Sequence, residues 1–196
     1  GMLNPSYSLY PTLTSLQRSN LHFIDFSDDQ FDLPTENIIS SRVNLFFLTN
    51  PHAPSGVAFD QAKIAELAKR INAILVVDEA YADFANDSAI RLLSDAENII
   101  VTRTFSKSYS LAGSRVGYAV ASPDLVKVLD SVREVYNLDR MSQAAAYAAL
   151  KDQEYFEKCL QKILDERQRA YEFFISLDWR TTDSKANFIF TEPVNK

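Results

Sequence analysis

The stretch NIIVTRTFSKSYSLAGSRVGYAVAS, residues 98–122, places two apolar runs on either side of a hydroxyl-rich loop. That loop holds one lysine, Lys107, and one arginine, Arg115. NIIVTRTF (98–105) and RVGYAVAS (115–122) each read as a short strand rich in β-branched residues. Two of the chain's 4 glycines, Gly113 and Gly117, fall here, and both are expected to let the backbone turn tightly around the lysine and the arginine. Hydroxyls and a planar guanidinium donate to an oxyanion, so the segment reads as built to hold an amine and an anion together.

Outward from it, LHFIDF (21–26), VNLFFLTN (43–50) and AILVVDEAY (73–81) read as further strands, each followed by polar punctuation. FDQAKIAELAKRI (59–71) has apolar residues at helical spacing and Asp60 in place to cap it. PDLVKVLDSVRE (123–134) is a helix with proline at its start. From Met141 to Ile175 the period is helical throughout, as one long helix or two abutting ones, and WRTTDSKANFIFTEP (179–193) supplies a strand, a turn and a strand. Alternating strands and helices, with near-continuous Val, Ile and Leu in the strands, imply an α/β fold with a mostly parallel sheet buried on both faces. The alternation stops near residue 135, so residues 1–135 are expected to form one unit and 136–196 a long connecting helix and the start of a second, smaller one.

Composition excludes several classes of function. A net charge of −6 and a pI near 5.0 leave no basic stripe for nucleic acid. No apolar run approaches the roughly 20 residues of a membrane span. The N-terminal GMLNPSYS lacks the regions of a signal peptide, and Gly1 ahead of Met2 reads as a tag remnant. One cysteine, Cys159, has no partner for a disulfide, which points to a cytoplasmic protein. His22 and His52 are too few for a metal cluster.

In open α/β sheets, ligands sit beyond the carboxyl ends of the strands. Those ends deliver Asn50, Asp78, Tyr81, Thr104, Ser106 and Lys107 to one edge, with Arg115 shortly after. Pro51 and Pro54 fix the loop after the strand 43–50 and admit a cis bond. An aspartate ending a buried strand is costly unless it faces a cation. A desolvated lysine near positive charge becomes a competent amine nucleophile. Each segment alone has a plain structural reading, as a helix cap, a solvated loop or a turn. Together, amine, carboxylate, phenol and phosphate-binding hydroxyls are what pyridoxal 5'-phosphate (PLP) requires. A nucleotide-phosphate loop is disfavoured, because neither GxxxxGK nor GxGxxG occurs.

NPHAPSG (50–56), VVDEAYADF (76–84) and TFSKSYSLAGSRVGY (104–118) resemble the three signature blocks of fold-type I, PLP-dependent aminotransferases of classes I and II, most closely the histidinol-phosphate branch. NPSYSLY (4–10) and SKANFIF (184–190) extend the resemblance over the chain. It implies the large domain of an aspartate aminotransferase-like fold, truncated at both ends, plus the start of the small domain, and a homodimer. It also implies that Lys107 forms the Schiff base and shuttles a proton, and that Asp78 pairs with the pyridine nitrogen. Tyr81 would hydrogen-bond the cofactor's phenolic oxygen, Thr104, Ser106 and Arg115 would bind its phosphate, and Tyr7 would stack on its ring. The family's asparagine in the first block is replaced here by Ala53, leaving Asn50 as the candidate for a related role.

The activity implied is transfer of an amino group from an amino acid such as glutamate to a keto acid or imidazole-acetol phosphate. A decarboxylase on the same scaffold, acting on a phosphothreonine-like substrate, and a PLP-binding fragment without activity are the alternatives. The segments that carry the substrate-carboxylate arginine and the tyrosine reaching across the dimer have no counterpart in this sequence.

Overall fold

A computed structural model describes residues 1–28 and 30–194. Six strands form the main sheet: β1 (Met2–Asn4), β2 (Phe23–Asp25), β3 (Leu45–Thr49), β4 (Ile74–Asp78), β5 (Ile99–Thr104) and β6 (Gly117–Ala121). Their spatial order is β2-β1-β3-β4-β5-β6. All neighbours are parallel except β5 and β6, which run antiparallel. The mostly parallel α/β reading therefore stands, and the exception has a local cause. The loop between β5 and β6 contains a single short 3₁₀ turn, Ala112–Ser114, and no crossover helix that could return the chain to a parallel start.

The core explains why the strands are so uniformly apolar. Phe46 and Leu48 of β3, Leu75 and Val77 of β4, and Ile99 and Val101 of β5 are fully buried on one face. They pack with Ile64 and Leu67 of helix α3 (Gln61–Arg70) and Ile38 of α2 (Thr35–Ser40). On the other face Val76 and Ile100 are also buried, and the ring of Phe47 is covered by Tyr10 of α1 (Leu9–Leu16). Each fully buried aliphatic side chain contributes about 2 kcal/mol. Asp60 caps α3 as expected, accepting a hydrogen bond from the Ala62 N–H at 2.7 Å.

The C-terminal helical run is two helices beyond α4 (Pro123–Val132): α5 (Arg140–Lys151) and α6 (Gln153–Ser176). Asp152 separates them. It ends α5 and, with its side chain, accepts from the Tyr155 N–H at 3.2 Å to begin α6. The strand pair that follows, β7 (Arg180–Thr181) and β8 (Thr191–Glu192), is antiparallel. It is tied back to the loop that follows β3: the Thr182 hydroxyl donates to the Ser55 carbonyl at 2.5 Å and the Lys185 N–H to the Gly56 carbonyl at 2.7 Å. From α6, Arg167 donates to the carbonyls of Phe84 at 3.3 Å and Ala186 at 2.8 Å.

The expectation for the glycines needs correcting. Around Lys107 and Arg115 the left-handed backbone falls on Ser110 (φ 56°) and Arg115 itself (φ 54°), not on glycine. A Cβ at Gly113 would meet nothing within 4 Å. Gly117 matters because its Cβ would lie 2.8 Å from the Arg103 carbonyl across the β5–β6 pair. The glycine that must turn is Gly56, with φ 76° and Ser184 Oγ only 2.2 Å from where a Cβ would be.

Candidate functional site

The parallel register brings the candidate residues to one edge. Thr49 pairs with Asp78, and Asp78 with Thr102, so β3 and β4 end level and β5 runs on past them to Thr104. Asn50 follows β3, Asp78 closes β4, and Thr104 closes β5 with Ser106 and Lys107 just beyond it. This is the edge where ligands bind in parallel α/β sheets.

Asp78 is held on both carboxylate oxygens. The phenol of Tyr10 donates to Oδ2 at 2.6 Å, and the Ala80 N–H donates to Oδ1 at 3.1 Å. Tyr10 is buried, and its ring stacks on Phe47 with centroids 4.7 Å apart. Tyr7, about half exposed, meets Tyr10 edge to face at 5.6 Å. Burial, reinforced by the charge of Asp78, pushes the Tyr10 phenol well above its ordinary range, so it remains a neutral donor.

Asn50 is buried and braces the loop that follows it. Its N–H donates to the Asp78 carbonyl at 2.9 Å, and its side-chain Oδ1 accepts from the Phe59 N–H at 2.8 Å. That leaves the side-chain Nδ2 as the group a ligand could meet. Both X–Pro bonds of this loop, Asn50–Pro51 and Ala53–Pro54, are cis.

Lys107 lies on the exposed side of its loop rather than in a desolvated niche. Its Nζ sits over the Tyr81 ring, 5.3 Å from the centroid, a cation–π arrangement that brings the amine and the phenol-bearing ring together. The Tyr81 ring also meets Phe188 at right angles, with centroids 5.1 Å apart. Thr104 Oγ1 accepts from the Ser106 N–H at 3.0 Å, turning the chain as it leaves β5. Arg115 is exposed and donates from Nη1 to the Ala112 carbonyl at 2.7 Å. This bond fixes the guanidinium against its own turn.

Three features escape a reading of the sequence. The first is the Tyr10–Asp78 bond, which joins residues 68 positions apart. The second is His52, fully buried among Phe26, Phe31 and Phe59. Its Nε2 faces the Pro5 carbonyl at 2.9 Å and its Nδ1 the Ser55 hydroxyl at 2.7 Å. A carbonyl only accepts, so the neutral ring carries its proton on Nε2 and accepts at Nδ1. His52 thus pins the NPHAPSG loop to the Tyr7 segment. Burial lowers its pKa to about 4.

The third is a buried ionic chain beneath the lysine loop. The Glu79 carboxylate accepts from Arg103 Nε at 2.8 Å, the Ser88 hydroxyl at 2.7 Å and the Ala89 N–H at 2.5 Å. Arg103 Nη1 also donates to Asp83 at 2.7 Å, and Asp83 accepts from the hydroxyl of Ser108, the residue next to Lys107. Burial raises the Glu79 pKa against the lowering effect of these donors. The sequence signal was present, since Glu79 directly follows Asp78, but an Asp-Glu pair after a strand reads equally well as a solvated turn.

Residues 2–196 match the family of class I and II aminotransferases. The chain belongs to that family. Among curated aminotransferases it is 44% identical over 197 residues to the histidinol-phosphate aminotransferase of Citrifermentans bemidjiense, covering 100% of this chain and 55% of that protein. It is likewise 44% identical to the one from Syntrophotalea carbinolica, over 99% of this chain and 55% of that protein. The chain therefore spans about half the length of the curated aminotransferases it matches. The crystal structure of histidinol-phosphate aminotransferase from Sinorhizobium meliloti, in complex with pyridoxal-5'-phosphate, superposes with a TM-score of 0.90 at 28% identity over 99% of this chain and 55% of that one. The aminotransferase from Clostridium acetobutylicum shares the fold with a TM-score of 0.91 at 24% identity, over 100% of this chain and 61% of that one. The architecture is that of the fold-type I aminotransferases. No helix among the described residues is long and apolar enough to cross a membrane.

Proposed function

We propose that this edge of the sheet binds PLP and forms the centre of an aminotransferase acting on small amino and keto acids. One observation carries the reading: an anchored carboxylate, Asp78, and an amine held over a phenol ring, Lys107 on Tyr81, stand at the ends of adjacent parallel strands. The donor set fits the group. Asp78 would receive the pyridinium N–H, and Tyr81 would donate to the phenolic oxygen. Thr104, Ser106 and Arg115 would hold the phosphate, Tyr7 would cover a ring face, and Asn50 would contribute its side-chain N–H.

When bound, PLP supplies an electron sink for carbon–hydrogen cleavage next to the amino group. Lys107 would provide the amine for covalent attachment and would then shuttle the proton between the substrate carbon and the cofactor carbon. Asp78 would hold the proton on the ring nitrogen, because a neighbouring carboxylate favours the positively charged form. The substrate reading is an amino donor such as glutamate paired with imidazole-acetol phosphate or a related keto acid; the relatives' description as histidinol-phosphate aminotransferases supports the phosphorylated partner.

The domain reading places a boundary near residue 135, with the strand pair β7–β8 opening the smaller unit. The assembled protein is read as a homodimer. Exposed Val128 and Val132 on α4, with Val135, Tyr136 and Met141 beyond it, support an apolar face covered by a second copy.

The test is to incubate the chain with PLP, desalt it, reduce with borohydride and map the label. Covalent cofactor on Lys107, with amino transfer from glutamate to imidazole-acetol phosphate, is the expected result. Retention without a label at Lys107 would overturn the site assignment, and no retention would overturn the reading.

A further inference from the structure

We propose that Tyr10 is a positioning residue for Asp78, holding its carboxylate in the one orientation from which it can receive the ring N–H of the cofactor. This rests on the reading of the site given above.

An aspartate at the end of a strand has two rotatable side-chain bonds, and solvent would let it swing. Here its two oxygens are claimed from different directions. Oδ1 is satisfied by the turn the residue itself begins, through the Ala80 N–H at 3.1 Å. Oδ2 is met from a separate element, α1, by the Tyr10 hydroxyl at 2.6 Å, a short charge-assisted bond. The phenol is itself immobilised: its ring is only 4% exposed, stacks on Phe47 at 19° between planes, and meets Tyr7 edge-on. Its backbone carbonyl accepts from the Thr14 hydroxyl at 2.8 Å. A phenol carries a single proton, so the bond has one direction. The raised proton affinity of the buried phenol keeps that proton on Tyr10, so the hydroxyl is the donor of the pair. One buried residue thus aligns the carboxylate and packs against the neighbouring Tyr7.

Tyr10→Phe removes only the hydroxyl and preserves the stack on Phe47. The experiment measures PLP affinity by equilibrium dialysis, and melting temperature, for the full chain with Tyr10→Phe, Asp78→Ala and both changes together. The expected result is that Tyr10→Phe weakens PLP binding about tenfold, or about 1.4 kcal/mol, and adds less than about twofold in the Asp78→Ala background, as a residue acting through another must. Unchanged affinity in Tyr10→Phe, with or without a lower melting temperature, would overturn the inference and leave the site reading intact. A tenfold loss persisting beside Asp78→Ala would also overturn it, because Tyr10 would then act on the ligand independently. If the unaltered chain binds no PLP, the site reading fails, and this inference with it.

Discussion

Arg103 donates from Nε to the fully buried carboxylate of Glu79 at 2.8 Å, beneath the loop that carries Lys107. The two residues lie on adjacent strand ends and share no exposed surface of consequence, with side chains 14% and 0% accessible. Removing one partner of such a pair leaves an uncompensated buried charge, typically worth about 3–5 kcal/mol. Arg103→Met should therefore lower stability by that order in urea denaturation. Glu79→Gln in the same chain should restore much of it, because the charge left without a partner disappears.

Ser108 reaches Asp83, and Asp83 reaches Arg103, so the residue beside Lys107 is tied to the same chain of charges. Ser108→Ala should cost about 1 kcal/mol of stability. Its distinctive mark would be faster amide exchange over residues 106–110, with strand β5 unaffected.

His52 gives a dependence on pH whose direction follows from its burial. Its folded pKa of about 4 lies below the ordinary 6.5, so between these values the unfolded chain binds more protons. Stability is fully present above pH 6.5 and is lost as pH falls toward 4, by about 3 kcal/mol from this group. Glu79, with a raised pKa, acts in the opposite sense. Comparing unfolding curves of the chain and its His52→Gln variant across pH 4–7 isolates the histidine, and parallel curves would contradict the assignment.

The glycines separate by position. Gly56→Ala should destabilise by more than about 1 kcal/mol, since φ is 76° and the new methyl meets Ser184 Oγ at 2.2 Å. Gly113→Ala faces open space and should stay within about 0.5 kcal/mol of the parent. Thermal melts of the two variants decide the point.

Much of this was legible because the strands obey one rule: β3, β4 and β5 are apolar on both faces, and their last residues carry the chemistry. Asp60 announced its helix by type and place. What stayed hidden are relations between distant residues. Nothing in the sequence couples Tyr10 to Asp78, and β1, three residues long, is too short to show a period. The antiparallel turn of β6 depends on the missing crossover, which apolar patterning does not encode. Lys107 was expected in a desolvated niche because the residue types suggested one, yet its exposure is set by the path of the loop. The left-handed positions fell on Ser110 and Arg115, where residue type alone favours glycine.

The bond from Thr182 to Ser55 spans 127 positions. While the chain is being synthesised, the loop of Pro51 to Val57 emerges long before the donors that finally close over it. Until residues 182–185 arrive, the carbonyls of Ser55 and Gly56 lack the partners they have in the folded protein. The sheet can assemble early from its own neighbours, but this rim of the site is completed only late, by returning chain.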